Sequence, residues 1–361
     1  MISKYKKTLV ISLQGIGDLL LTTPLLRGIK ENIPESKLSV LTFKANKDIL
    51  SDNPYVDDMI LVDPTSFVSI LKVLFELRER HFDLTICAYP SGLRSAFLGY
   101  LSGAPTRFGQ GLSLFNKYHW LFTKQTPITE VKHAILMNLD FLRLLNIDSE
   151  GLNYDLTLNL DKKDKKFASE FLNNSNVSDE DLLITIHIGG GKDKAWSKER
   201  FAQIADELIE RYGARILFLG SKKEFPAVNS IIQLMKNKSL NLVSKTTLMQ
   251  MAALLEKSHL LICNNSGPMH IAAALKIPTI SISGPVDPRI HRPWGQNHIV
   301  LQKALECSPC YYPFFRDTLE ETKSKNRWFG KRLICKTNDF KCLASISIND
   351  VLKAVETLLL Y

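Results

Sequence analysis

The stretch "LLICNNSGPMHIAAALKIPTISISGP" (260–285) carries the most chemical information in this chain. An apolar run ends at Cys263, and five small or polar residues, Asn264-Asn265-Ser266-Gly267-Pro268, precede a short apolar helix. Ser266 or Gly267 suits the N-cap, and Pro268 suits the first turn, where a missing N–H costs nothing. Gly267 lets a ligand approach the backbone, and the free N–H groups with the helix dipole form an anion site, suited to a phosphate or diphosphate. His270, one turn further on, could face the same ligand, although a plain capped turn fits the residues too.

Three other stretches could add to such a site. In "HIGGGKDKAWSKERF" (187–201), three glycines allow close approach and Lys192, Lys194 and Lys198 supply mobile positive charge. No Gly-Lys-Ser/Thr closes the stretch, so it is not a nucleotide P-loop. In "LGSKKE" (219–224), Glu224 opens a helix and could accept hydrogen bonds from ribose hydroxyls, or simply favour the helix dipole. In "QGIGDLLLTTP" (14–24), Leu20 stands where a dinucleotide fingerprint needs its third glycine. Asp18 at that helix start would repel a pyrophosphate but could take a proton as a general base, or act only as a cap.

These stretches need elements to hold them. Strands are expected at 8–13, 37–43, 56–63 and 83–89, with helices at 18–33 (irregular at Pro24), 66–82 and 91–103. The periodicity fades over 160–180, read as a connecting helix and loop. It restarts with strands at 182–190, 214–221 and 259–263 and helices at 197–213 and 224–237. Short apolar strands alternating with helices indicate parallel sheets covered on both faces. The expected architecture is α/β: two doubly wound Rossmann-like domains facing across a cleft, with ligands at the carboxyl ends of the strands. The boundaries are 1–165, 166–346 with a cysteine-rich tail, and a C-terminal helix at 347–361 that could pack on either domain.

At 361 residues the chain is long for a single core, and 45% hydrophobic with 23% charged residues is ordinary for a globular protein. No run of apolar residues is long enough for a membrane span, and the N-terminal run is read as a buried strand rather than a signal peptide, which predicts a cytoplasmic protein. The net charge is +9, and the first 160 residues hold 17 Lys or Arg against 16 Asp or Glu, so nearly all the excess lies beyond them. An anionic ligand or an anionic membrane surface accounts for that, whereas nothing resembles a nucleic-acid motif and no nucleic-acid partner is expected.

Together the four stretches resemble glycosyltransferase family 9, the ADP-heptose:lipopolysaccharide heptosyltransferases. The resemblance rests on Gly15-x-Gly17-Asp18 with Thr23-Pro24, on "GGGKDKAWSKERFAQIADEL", on Gly220 to Glu224, and above all on "NNSGPMHIAAALKIPTISISGPVDP". It implies a GT-B fold and an inverting transfer that needs no metal or other cofactor. It matches Asp18 to the catalytic base, Lys194 (with Lys192 close enough to compete) to a donor-phosphate contact, and Glu224 to a ribose contact. It matches Ser266, Gly267 and His270 to the loop holding the diphosphate. Asn265 departs from the pattern, since many members carry Asp there. The implied partners are an ADP-sugar donor, most simply ADP-heptose, and an anionic glycolipid acceptor, with peripheral contact at the inner membrane. Two rivals stay open at this point: a sugar-nucleotide epimerase of the same plan, and a non-catalytic nucleotide-sugar binding protein.

Cys87 and Cys263 read as core fillers. Cys307, Cys310, Cys335 and Cys342 form a C-x₂-C pair and a looser C-x₆-C pair, which could close a structural zinc site or remain unliganded thiols. Between the pairs, "KSKNRWFGKRLICK" (323–336) mixes basic and aromatic residues and could lie against anionic lipid or form a solvated loop.

Overall fold

The computed structural model describes residues 4–111, 118–312, 328–329, 332–333 and 335–359. They form two compact units, one from residues up to Asn159 with Tyr312, the other from Leu160–Tyr311 and the described residues beyond 327.

In the first unit six strands form one sheet: β1 (Lys7–Ser12), β2 (Lys37–Phe43), β3 (Asp58–Val62), β4 (Leu84–Cys87), β5 (Thr106–Gln110) and β6 (Lys124–Thr126). Their order is β3-β2-β1-β4-β5-β6, and every pairing is parallel. Every β1 residue after Lys7 is buried, as expected for a strand covered on both faces. The helices are α1 (Ile16–Leu20), α2 (Thr23–Asn32), α3 (Phe67–Glu79), α4 (Leu93–Leu101) and α5 (Ala134–Leu144).

The single helix expected over 18–33 is two helices. Pro24 lies in the first turn of α2 and has no N–H to offer Leu20. The Leu20 carbonyl accepts from the Thr23 hydroxyl at 2.8 Å instead, and the Leu21 carbonyl accepts from the Asn138 amide of α5 at 3.1 Å. Asn138 is fully buried, and its Oδ1 also accepts the Tyr89 N–H at 2.7 Å, so one side chain ties the helix break to the chain leaving β4. The sequence pattern gave no assignment for β5, β6 or α5. β6 is only three residues, Lys-Gln-Thr, with no apolar signal.

The second unit repeats the plan with β7 (Leu183–His187), β8 (Arg215–Phe218), β9 (Leu240–Asn241), β10 (Leu260–Asn264), β11 (Thr279–Ile282) and β12 (His298–Leu301). The order is β12-β11-β10-β7-β8-β9, again all parallel. The helices are α6 (Lys162–Asn174), α7 (Lys198–Tyr212), α8 (Phe225–Leu234), α9 (Leu248–Glu256) and α10 (Gly267–Ala274). The Ser197 hydroxyl caps α7 by accepting the Arg200 N–H at 3.3 Å. The expected connecting helix is α6, which belongs to this unit and pairs with α9 through Lys165 and Glu256 at 2.7 Å.

The last helix, Ile348–Leu359, packs on the second unit, burying Val351, Leu352 and Val355 in the same core as Ile184, Ile186 and Trp196. The Trp196 indole N–H donates to the Ile346 carbonyl at 2.9 Å, and Arg200 donates to the Ala344 and Ile346 carbonyls at 2.6 and 2.8 Å.

Counted from its own first strand, each sheet runs 3-2-1-4-5-6, the Rossmann order. The order reverses between β1 and β4 and between β7 and β10, where ligands bind beyond the strand ends. Among the described residues no helix is long and apolar enough to cross a membrane. Of the basic and aromatic side chains in the segment 323–336, all but Lys336 lie outside the described residues.

Candidate active site

The second unit's switch point brings two of the predicted stretches together. β7 and β10 are direct neighbours with His187 opposite Cys263, so the chain leaves both strands at the same place. Asn264, fully buried, stitches the two exits: its Oδ1 accepts the Trp196 N–H at 3.0 Å and its Nδ2 donates to the Ile188 carbonyl at 2.7 Å. Burying an amide is tolerable only with such partners. This holds the Gly189–Lys194 loop over the start of α10.

His187 joins the same knot. Its Nδ1 accepts the Gly189 N–H at 3.2 Å and lies 3.5 Å from the Ser266 hydroxyl. Burial drives its pKa down to about 4, against the opposing pull of the Glu224 carboxylate, so the ring is a neutral acceptor near pH 7. A Cβ on Gly189 would lie 2.4 Å from the ring's Cε1, so only glycine fits there. Gly190 (φ 133°) and Gly191 (φ 86°) then take backbone conformations that side chains disfavour.

Ser266 is the N-cap of α10, and Pro268 lies in the first turn, as the sequence predicts. Among the described residues no side chain caps this helix: the Ser266 hydroxyl donates back to the Asn264 carbonyl at 3.2 Å. The helix start is therefore left to attract an anion. Gly267 is the first helical residue, and His270 lies one turn on, buried at 5% exposure.

Asn265 is buried, and its amide donates to the His291 carbonyl at 2.6 Å, with the Ser283 hydroxyl at 3.5 Å. The departure from Asp thus has a physical reason in this chain, because a carboxylate cannot donate to that carbonyl. Lys194 is half-buried, with its ammonium 4.8 Å from the centre of the Tyr311 ring. Tyr311 is fixed by its own N–H, which donates to the Pro285 carbonyl at 2.8 Å. The backbone of Lys192 lies in the same short turn, Lys192–Lys194, while its side chain lies outside the described residues.

Glu224 stands at the end of β8, the strand next to β7. Its Oε2 accepts the Ser221 N–H at 2.8 Å and the Ser221 hydroxyl at 2.5 Å. Its Oε1 has no hydrogen bond among the described residues, leaving an acceptor for a ligand hydroxyl.

In the first unit Asp18 follows β1 as the third residue of α1. Its Oδ2 accepts the Gly15 N–H at 3.2 Å, and the side chain is half-buried. The capping role and a ligand-facing role use the same carboxylate, so the cap does not exclude the base. Asn46 steadies the loop by donating to the Gln14 carbonyl at 2.8 Å.

His187, Asn264, Trp196 and Tyr311 were not among the residues expected to matter. The signal for His187 was available: it ends an apolar strand directly before three glycines.

Cys307, Cys310, Cys335 and Cys342 line one pocket of about 20 Å³, and none is in a disulfide. Among the described residues no group of three or more His, Cys, Asp or Glu side chains is placed to hold a metal ion, so the zinc expectation gains no support from the structure. Burial pushes the Cys342 thiol up. At Cys335 burial acts the same way, but hydrogen bonds from Thr337 and nearby backbone N–H groups outweigh it and hold that thiol below its ordinary value.

The chain is 28% identical to Lipopolysaccharide heptosyltransferase 3 of Escherichia coli over 296 residues, covering 78% of this chain and 85% of that protein. Its fold matches the glycosyl transferase family 9 protein of Veillonella parvula with a TM-score of 0.81 and 28% identity, over 99% of this chain and 98% of the other. It also matches Escherichia coli heptosyltransferase WaaC with ADP-2-deoxy-2-fluoro heptose, with a TM-score of 0.69 and 19% identity, over 97% and 99% of the two chains. These folds are GT-B. Residues 70–313 match the family described as Glycosyltransferase family 9 (heptosyltransferase), and the chain, a glycosyltransferase, belongs to that family.

Proposed function

We propose that this enzyme moves heptose from ADP-heptose to a lipopolysaccharide core or related anionic glycolipid acceptor, with inversion, at the cytoplasmic face of the inner membrane. The observation carrying this reading is the knot at the β7–β10 switch point. The glycine loop after β7 is tied by Asn264 to a helix start that no described side chain caps, with the Lys194 ammonium on the adjoining turn. That arrangement suits a diphosphate. The similarity to heptosyltransferases, one of them with an ADP-heptose analogue, supports adenine and heptose as the rest of the donor.

In the proposed reaction the second unit binds the donor. Glu224 Oε1 accepts a ribose hydroxyl, and the start of α10 with Lys194 receives the diphosphate. The first unit binds the acceptor. Asp18 removes the proton of the acceptor hydroxyl as that oxygen bonds to the anomeric carbon. The bond from that carbon to the diphosphate breaks, and the electron pair leaves with ADP. Donors aimed in advance at this growing charge are worth about 3–4 kcal/mol each when deleted.

Thermal unfolding with a panel of nucleotide-sugars tests the reading. ADP-heptose at about 100 times its dissociation constant should stabilise the protein by about 2.7 kcal/mol, and UDP- or GDP-sugars far less. If no ADP-sugar raises the unfolding temperature, the donor assignment falls. The epimerase alternative requires ADP-heptose alone to be isomerised, which product analysis without acceptor detects.

A further inference from the structure

The first unit has an apolar surface that its fold does not use. Among the described residues, eight of the ten large exposed apolar side chains, Phe67, Val68, Leu71, Phe75, Phe97, Tyr100, Leu101 and Trp120, lie on α3, on α4 and on the turn beside them. Single exposed apolar residues are ordinary, whereas a contiguous group marks a contact surface.

α3 is apolar on two sides. Val73 and Leu77 face the core, with Ile70 and Leu74 packed against it. The adjoining outward stripe holds Phe67 at 72% exposure and Phe75 at 71%, with Val68 and Leu71 at helical spacing between them. On α4, Phe97 and Tyr100 carry the Trp120 ring edge-on, at centroid distances of 6.4 and 5.1 Å. A groove of about 340 Å³ opens between the two helices, with Phe43 and Val62 among its lining residues.

The charges around this face are mostly positive. Lys72 and Arg78 on α3 and Arg94 on α4 are exposed, and none is in an ion pair among the described residues. Of the acids on α3, Glu76 is engaged by Arg80 and only Glu79 remains to offset them. Aromatic side chains held at the surface with cations beside them suit the boundary between headgroups and acyl chains. A second copy of this chain suits the face less well, because a two-fold contact would bring Lys72 and Arg94 towards their own counterparts.

We propose that the α3–α4 face of the first unit docks on an anionic phospholipid bilayer. Phe67, Phe75 and Trp120 enter the boundary region, and Lys72 and Arg94 meet headgroup phosphates. The inference deepens the inner-membrane placement proposed above and rests on no part of the donor reading, since vesicle binding needs no nucleotide.

The experiment is co-sedimentation of the full chain with phosphatidylcholine vesicles, with and without phosphatidylglycerol, at low and high salt. The wild-type chain should partition to the phosphatidylglycerol vesicles and be released by salt. Phe67→Ser with Phe75→Ser should lower the partition coefficient at least about tenfold on the transfer cost of two phenyl groups. Lys72→Gln with Arg94→Gln should lower it about 30-fold for anionic vesicles and leave phosphatidylcholine unaffected. All four side chains are exposed, so both double variants should keep the wild-type unfolding temperature and ADP affinity. No partition of the wild-type chain, or equal partition of the serine variant, overturns the proposal. So does concentration-dependent self-association that the serine variant abolishes while vesicles are ignored. Failure of nucleotide binding in every variant would count against the donor reading alone.

Discussion

His187 makes the second unit's stability depend on pH in a way its surroundings fix. The ring is buried between the two loop exits, and its pKa falls from 6.5 to about 4. Between those values the unfolded chain holds a proton that the folded chain refuses, so stability rises with pH. The contribution is complete above pH 6.5 and is lost as the pH falls towards 4. Going from pH 7.5 to pH 5, this one group should cost about 2 kcal/mol. For a unit of this size that is about 4–8 °C in unfolding temperature. The assay is thermal unfolding of the wild-type chain and His187→Gln at both pH values. The readout is the difference in pH response, which cancels the other histidines, including His298, also depressed by burial. His187→Gln should lose about 2 kcal/mol less than wild type over this interval, whatever its stability at pH 7.5. An equal pH response in the two proteins would show that His187 is not held neutral, and the account of the knot would fail.

Gly189→Ala places a methyl group 2.4 Å from the same ring, so it should destabilise the second unit by about 1–3 kcal/mol and weaken ADP binding, measured by calorimetry. Unchanged values for both would contradict the close packing. Asp18→Asn keeps an oxygen for the Gly15 N–H but cannot take a proton, so turnover should fall about 10²–10⁴-fold with ADP affinity and unfolding temperature preserved. Retained turnover would remove Asp18 from the base role. Burial pushes Cys87 to about 12 and raises Cys263 as well, so neither should react with a thiol reagent until the chain unfolds, whereas the partly exposed Cys335, held below its ordinary value, should react first. Rapid labelling of Cys87 or Cys263 in the native protein would refute their burial.

What could be read from the sequence was what local composition determines. β2 was expected at 37–43 and is observed as Lys37–Phe43, because an apolar run flanked by Lys37 and Lys44 has no competing pattern. α7 was readable from Ser197 at one end and Gly213, in the left-handed region, at the other. The start of α10 was readable for the same reason, as Ser266, Gly267 and Pro268 are local signals. The break between α1 and α2 was only half readable. Pro24 announced it, but its repair by Asn138 spans 117 residues. His187 could be picked out at the end of its strand, but its knot with Asn264 was unreadable for the same cause, since the bond from Asn264 to Ile188 spans 76 residues and exists only because β7 and β10 became neighbours. That adjacency is a property of strand order. The order 3-2-1-4-5-6 places the first and fourth strands of each unit side by side, so the loops after them must meet whatever their sequences. The residues proposed to hold an anion could therefore be picked out one loop at a time, whereas the residues that hold those loops together follow from topology and are recognised only once the sheet is known.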